Sequence, residues 1–406
     1  MIRRYCAGTA FCLVAALLLV ACGTNARADA AGRASNARTS SPPATSGAQN
    51  LRVSIDLALG AHTLLLARTT DAALGVRTPE FSAYGTALHA DDATVAAAVV
   101  PSGSTQARDK VANSLTKFDI ATLNDATAAY TKNTAAQQQA TNDMSATYVP
   151  QMRSALAVAT HASSSTLTSG LNQQVADTQA LITAQAAGDW NSAYQALSTA
   201  YTHQLTFGTL LSVAIARTDP QSYPGNPKAS AATLRDTLES QLQMQVYLLG
   251  MAESAAAGGR ATEEQSAAAA YAASTSAVGT AINPAGEKLA SGVSGDLTQA
   301  QTAAAALAVA TAHHDTGGVT SQHQALTKTF PGGYVTIVHG RLGLTQKQAS
   351  ATSSAYGQAL ANQATGEGQN QASPQVAATA AAAAAGLGKQ LGLAVATRYG
   401  RHFPAS

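Results

Sequence analysis

The chain has 406 residues, of which 24 are basic and 22 acidic, for a formal net charge of +2. Charged residues make up 11% of it, against roughly a quarter in average globular proteins, and no sustained positive field exists to attract nucleic acid. Aromatic residues are only 5%, while alanine, the best helix former, abounds with Ser, Thr and Gln, so composition points to slim, closely packed helices and an all-α fold.

The first 21 residues read as an export signal. Arg3 and Arg4 form a short cationic start, and an apolar run follows from Ala7 to Ala21. That run is shorter than the about 20 apolar residues a membrane-spanning helix needs. All three cysteines, Cys6, Cys12 and Cys22, fall here, and the last closes Leu19-Val20-Ala21-Cys22. The arrangement resembles the signal and lipobox of a bacterial lipoprotein. That resemblance implies cleavage before Cys22 and fatty acylation of its thiol, with palmitate as a typical acyl group. The mature chain then carries one cysteine, itself acylated, and no internal disulfide. The implied location is extracytoplasmic, anchored by lipid to the cell membrane, or to the outer membrane in a Gram-negative cell.

Residues 22–50 are small and polar, include Ser40-Ser41-Pro42-Pro43, and predict a disordered tether. As a flexible coil it spans on the order of 30 Å. Folded structure is expected from Leu51. Leu51, Ile55, Leu59 and Leu65 recur at helical spacing to about Leu74, where Gly75 stops the helix. Thr78-Pro79-Glu80 opens a second helix that ends at Pro101. A third runs from near Ser104 to Thr131, and a fourth from Ala135 to Thr160, bending near Pro150. A fifth follows Ser163 and fades at Gly188; Asp189 then caps a sixth, along which Tyr194, Leu197, Tyr201 and Leu205 line one side.

The breaker cluster Pro220, Pro224, Gly225 and Pro227 marks a linker over residues 218–230. Beyond it the pattern starts again. A displacement of 183 sets Leu51-Arg52 on Leu234-Arg235, Ile55 on Leu238, and Gly75, Arg77, Glu80 and Pro101 on Gly258, Arg260, Glu263 and Pro284. After Pro284, Pro331-Gly332-Gly333 and Gly366-Glu367-Gly368 are expected to break the second half differently, and Ser373-Pro374 opens a last helix toward Arg398. The fold class expected is therefore all-α: two tandem up-down helical bundles of about six helices each, over residues 51–217 and 231–402, related by internal duplication.

This paired pattern resembles a group of exported bacterial proteins with tandem helical bundles, some of which carry a copper amine oxidase label. Those enzymes build a quinone from a Tyr in an Asn-Tyr-Asp/Glu setting and hold copper with three histidines, two of them one residue apart. Neither pattern occurs in this chain. No Glu precedes a His by three residues, so the di-iron bundle signature is absent as well. Ser114-Leu115-Thr116-Lys117 lacks the companion motifs of penicillin-recognising enzymes. Gly386-Leu387-Gly388-Lys389 lacks the spacing of a phosphate loop. No catalysis and no cofactor are expected.

Metal chemistry is a rival expectation, with His313, His314 and His323 as candidate ligands. His89-Ala90-Asp91-Asp92 offers neighbouring ligand types, but neighbours in sequence do not share a helix face. His62, in an otherwise apolar register and matched by Gln245, reads as a hydrogen-bonded core histidine. Trp190, Tyr194, Tyr201 and Phe207 are candidates to frame a cleft for a small apolar ligand, or else to fill the core. The function expected is thus a lipid-anchored binding or structural module of the cell envelope, without catalysis. Its alternatives are an extracytoplasmic metal-binding protein and a carrier of a small apolar ligand. The membrane is its partner through the lipid, together with an unidentified envelope protein or ligand.

Overall fold

The first helix begins where its own side chains satisfy its free amides: Ser46 accepts from the Gln49 amide, and the Gln49 side chain accepts from the Ser46 amide. That reciprocal cap starts α1 (Gly47–Leu74) four residues before the first periodic leucine. The structure is a computed structural model, and residues 45–371 and 373–404 of it are described. Cys22, the signal and most of the tether lie outside the described residues.

The other helices of the first half start and stop on comparable local chemistry. α2 (Thr78–Val99) carries Pro79 and Glu80 in its first turn, and α3 (Thr105–Tyr130) is capped by Ser104. α4 (Thr134–Asn142) passes without a break through a π-helical stretch, Asp143–Tyr148, into α5 (Val149–Thr160). The irregularity expected near Pro150 takes this form: a wider turn just ahead of the proline accommodates a ring that has no N–H to give. α6 (Ser164–Ala187) is capped by Ser163 and closed by Gly188 at φ 67°, and Asp189 caps α7 (Trp190–Thr218).

The second half contains α8 (Ser230–Ala257), α9 (Ala261–Ile282), α10 (Glu287–Ala312), α11 (Thr316–Gln324), α12 (Phe330–Leu342), α13 (Gln346–Gly368) and α14 (Pro374–Arg398). α11 again runs through a π-helical stretch, Ala325–Thr329, into α12. Each half therefore holds six continuous rods, all helical, and no strand occurs among the described residues. One expectation is corrected here. Pro331-Gly332-Gly333 does not break the second half but lies inside α12, whereas Gly366-Glu367-Gly368 forms the end of α13. Pro331 follows its π stretch as Pro150 follows the first. Gly368 is needed for packing, since a Cβ there would lie 2.4 Å from the carbonyl oxygen of Ala308 on α10.

α1 and α8 start 183 residues apart, as do α2 and α9. From α4 to α11 and from α6 to α13 the displacement is 182. The one-residue change falls at the short 3-10 turn Asn283–Ala285, which joins α9 to α10.

α1 and α8 are buried on nearly every side, as helices at the centre of a packed assembly must be. α1 packs on α2, α3, α7 and α8; α8 packs on α1, α9, α10, α13 and α14. Polar groups stitch the halves along this seam. The Tyr201 hydroxyl donates to the Ser240 carbonyl oxygen (2.7 Å), Arg52 pairs with Asp236 (2.9 Å), and Arg68 pairs with Glu367 (2.6 Å).

Candidate metal centre

His62 sits midway along α1, with both ring nitrogens among carboxylates that come from two other helices. Asp91 and Asp92 arrive from α2 and Asp119 from α3, each helix packing on α1. His62 Nε2 is 3.2 Å from Asp119 Oδ1, and Nδ1 is 3.6 Å from Asp91 Oδ2 and 4.0 Å from Asp92 Oδ1. The side chains of His62, Asp92 and Asp119 are 2%, 3% and 8% exposed, and that of Asp91 is 13% exposed.

Closeness here is not hydrogen bonding. Neither His62 nitrogen has a hydrogen-bond partner among the described residues, nor do either oxygen of Asp119, Oδ1 of Asp92 or Oδ2 of Asp91. Buried polar groups are nearly always paired, because each one left alone costs about 1–3 kcal/mol. Six such atoms converging from three helices therefore require explanation. One ligand atom from each of His62, Asp92 and Asp119 can be chosen so that all lie within 4.8 Å of one another, a spacing that an ion can bridge. The remaining oxygen of Asp92 is fixed by Thr116, whose Oγ1 donates to Oδ2 at 2.6 Å. That outer contact orients the carboxylate and leaves Oδ1 free, as a neighbouring polar group commonly does for a ligand. His89 lies outside, exposed, with Nδ1 3.3 Å from Asp92 Oδ2.

The electrostatics ask for positive charge. Burial by itself lowers the pKa of His62, yet the Asp119 carboxylate, aided by Asp91, raises it well above the ordinary 6.5. Burial, followed by the Asp119 charge, pushes Asp92 up to about 7 despite the Thr116 hydrogen bond. Both shifts express one fact: carboxylates gathered out of water hold on to protons or to a cation.

The second half supplies an internal comparison. At the corresponding positions stand Gln245 for His62, Ser274 for Asp91 and Thr275 for Asp92, each displaced by 183, and Gln301 for Asp119, displaced by 182 as α10 requires. There the Gln245 Nε2 donates to Thr275 Oγ1 at 3.3 Å. The same helix triangle thus packs around neutral groups, with Gln245 Oε1 as its one unpartnered atom among these side chains, so such a triangle does not demand the ionisable set.

A second buried charged network is differently built. Arg68, 1% exposed, pairs with Glu80 (3.2 Å) and Glu367 and stacks over the Tyr84 ring at 4.3 Å; Arg77 pairs with Asp71 and Glu80. Cations already answer most of its carboxylates, and it serves as a tie between halves. Asp71 at its edge is nonetheless pushed up to about 7, first by burial and then by the charge of Glu263, with Arg77 opposing.

The residues singled out from sequence fall elsewhere. His313 and His314 are exposed at the turn from α10 to α11, His314 with φ 56°, and His323 is half-buried on α11. The metal-capable grouping among the described residues does not include them. Tyr194, Tyr201 and Phe207 are buried in the packing of α7, and Trp190 is half-buried at its start. A Cβ at Gly60 would lie 2.7 Å from the Tyr201 ring, and one at Gly170 would lie 2.4 Å from the Phe207 ring, so glycines on α1 and α6 make room for these aromatics. Gly388 of the phosphate-loop-like stretch is mid-helix in α14, where a Cβ would come within 2.8 Å of the α8 backbone.

Sequence reasoning treated His62 as a satisfied core residue and the Asp91-Asp92 pair as unable to gather ligands. Ligands from α1, α2 and α3 converge through tertiary packing, which neighbour spacing does not record. One signal was available: at a displacement of 183 His62 is matched by Gln245, an ionisable residue where its counterpart is neutral. Comparison with protein-family models, curated proteins and solved structures gives no match.

Proposed function

We propose that this chain is a lipid-anchored extracytoplasmic protein whose first half binds one divalent first-row transition metal through His62, Asp92 and Asp119, with Asp91 beside them. The observation that carries this reading is the set of six buried, hydrogen-bond-orphaned nitrogen and oxygen atoms on three helices. One imidazole with carboxylates and no thiolate suits Zn²⁺, Mn²⁺ or Fe²⁺ and does not suit Cu⁺. Binding rather than turnover is supported by the enclosure of the three ligands, which leaves little space for a substrate against them.

The anchor rests on the lipobox ending at Cys22 and the polar tether after it. The near-constant displacement of helix bounds between halves supports duplication, with the ionisable set held in the first copy only. On this reading the second half is a neutral copy that buries α1 and braces the centre from behind.

Metal analysis of the full-length protein, extracted in detergent and dialysed against Mn²⁺ or Zn²⁺, tests the proposal. One ion per chain, lost in the variant H62Q/D92T/D119Q, is the expected outcome; substoichiometric metal unchanged by those substitutions refutes it. A Cys22→Ser variant is expected to leave the detergent phase and keep its metal, which separates address from binding.

A further inference from the structure

Of the four acidic and imidazole side chains at the centre, Asp91 alone also faces outward. It lines a groove of about 390 Å³ between α1, α2, α8 and α14, whose walls include Ala61, Ala87, Tyr247 and Ala378. Alanines on facing helices hold that groove open, since a methyl group reaches too short a distance to fill the space between two backbones. Among the residues that line the groove Asp91 is the one carboxylate, set in a mostly apolar wall that also holds Thr94, Gln243 and Gln375. Its Oδ2 is buried, has no hydrogen-bond partner among the described residues, and lies 3.6 Å from His62 Nδ1. The same side chain therefore borders both the groove and the inner ligands.

Resting on the metal reading above, we infer that this groove is the route by which the divalent ion reaches the centre, and that Asp91 is the capture ligand that passes it to His62, Asp92 and Asp119. A lone negative group in a low-dielectric cleft concentrates cations at its own position. From there the ion moves a few ångströms inward, exchanging water for imidazole and carboxylate one ligand at a time.

Stopped-flow mixing of the metal-free, detergent-solubilised protein with Co²⁺, read by visible absorption, tests the route. Two variants divide the roles. Ala378→Trp, at an exposed position on α14, is expected to obstruct the groove, slowing association and dissociation by the same factor, on the order of tenfold, with an unchanged Kd. Asp91→Asn is expected to slow association on the order of tenfold through loss of cation focusing, with a smaller change in dissociation. Association unaffected by Ala378→Trp in a protein that still binds Co²⁺ overturns the route and leaves the centre standing. An Asp91→Asn variant that associates at the normal rate and only dissociates faster overturns the capture role, making Asp91 an ordinary fourth ligand. No Co²⁺ uptake by the unaltered protein overturns the centre itself, and the route with it.

Discussion

Transplanting the second half's neutral residues into the first, as H62Q/D92T/D119Q, separates folding from metal binding. In the equivalent helix triangle Gln245 donates to Thr275 and Gln301 donates to the Ala268 carbonyl oxygen, so the substitutions import side chains the fold accepts at matching positions. In metal-free buffer they remove buried groups that lack hydrogen-bond partners, each a cost of about 1–3 kcal/mol, and give up the Thr116–Asp92 hydrogen bond, about 1 kcal/mol in return. They also give up the His62–Asp119 ion pair and bring polar atoms of their own into the same space, so gains and losses offset one another and the variant is expected to be at least as stable as the original chain. Added metal distinguishes the two proteins. At a thousand times its Kd, an ion that binds only the folded state contributes about 4.1 kcal/mol. With about 2.1 cal/mol/K of unfolding entropy per residue over roughly 360 described residues, that raises the Tm of the original chain by about 5 °C. Scanning calorimetry with excess Mn²⁺ or Zn²⁺ and then with chelator reads both effects, and the transplant is expected to show no metal-dependent shift. A transplant that keeps the rise refutes the ligand assignment. One that loses more than about 3 kcal/mol in metal-free buffer refutes the claim that the charged set is dispensable to the fold.

Three further outcomes test packing and charge elsewhere in the chain. Tyr201→Phe removes the hydroxyl that donates to the Ser240 carbonyl across the seam; a loss of about 1–2 kcal/mol is expected in urea unfolding, with the metal content unchanged. Gly388→Ala puts a methyl group within 2.8 Å of the Glu239 and Leu238 backbone, and overpacking between α14 and α8 is expected to cost about 1–3 kcal/mol, measured by thermal unfolding. Asp296 is pushed up by burial to about 6 from the ordinary 3.8, with Oδ2 buried and unpartnered, so the native state holds its proton more tightly than the unfolded chain does. Its contribution is therefore complete below about pH 4 and is lost as pH rises through about 6. Asp296→Asn removes that dependence. Denaturation at pH 8 is expected to show the variant more stable by at most about 3 kcal/mol, a gain that vanishes by pH 4; equal stabilities at pH 8 refute it.

Local chemistry made the helix ends legible. Ser104, Ser163 and Asp189 each offer a side-chain oxygen to an amide near the start of the following helix, and Gly188 takes the left-handed angle that closes α6. Such signals act within four residues, so reading a sequence captures them. The same method stumbled on Pro331-Gly332-Gly333, which lies inside α12. There glycine answers a neighbouring helix and proline follows a π-helical stretch, and neither circumstance is local.

By itself the sequence determined an all-helical chain, the breaker cluster over residues 218–230, and most helix ends of the first half. These follow from side-chain volume, capping and helical periodicity, all properties of short segments. Only the tertiary structure decided that α1 lies at the centre with α2 and α3 against it, and so that residues 62, 91, 92 and 119 come to face one another. The physical reason is that a centre of this kind forms from residues on separate helices, and its spacing is set by how those helices pack, a distance that no count along the chain contains.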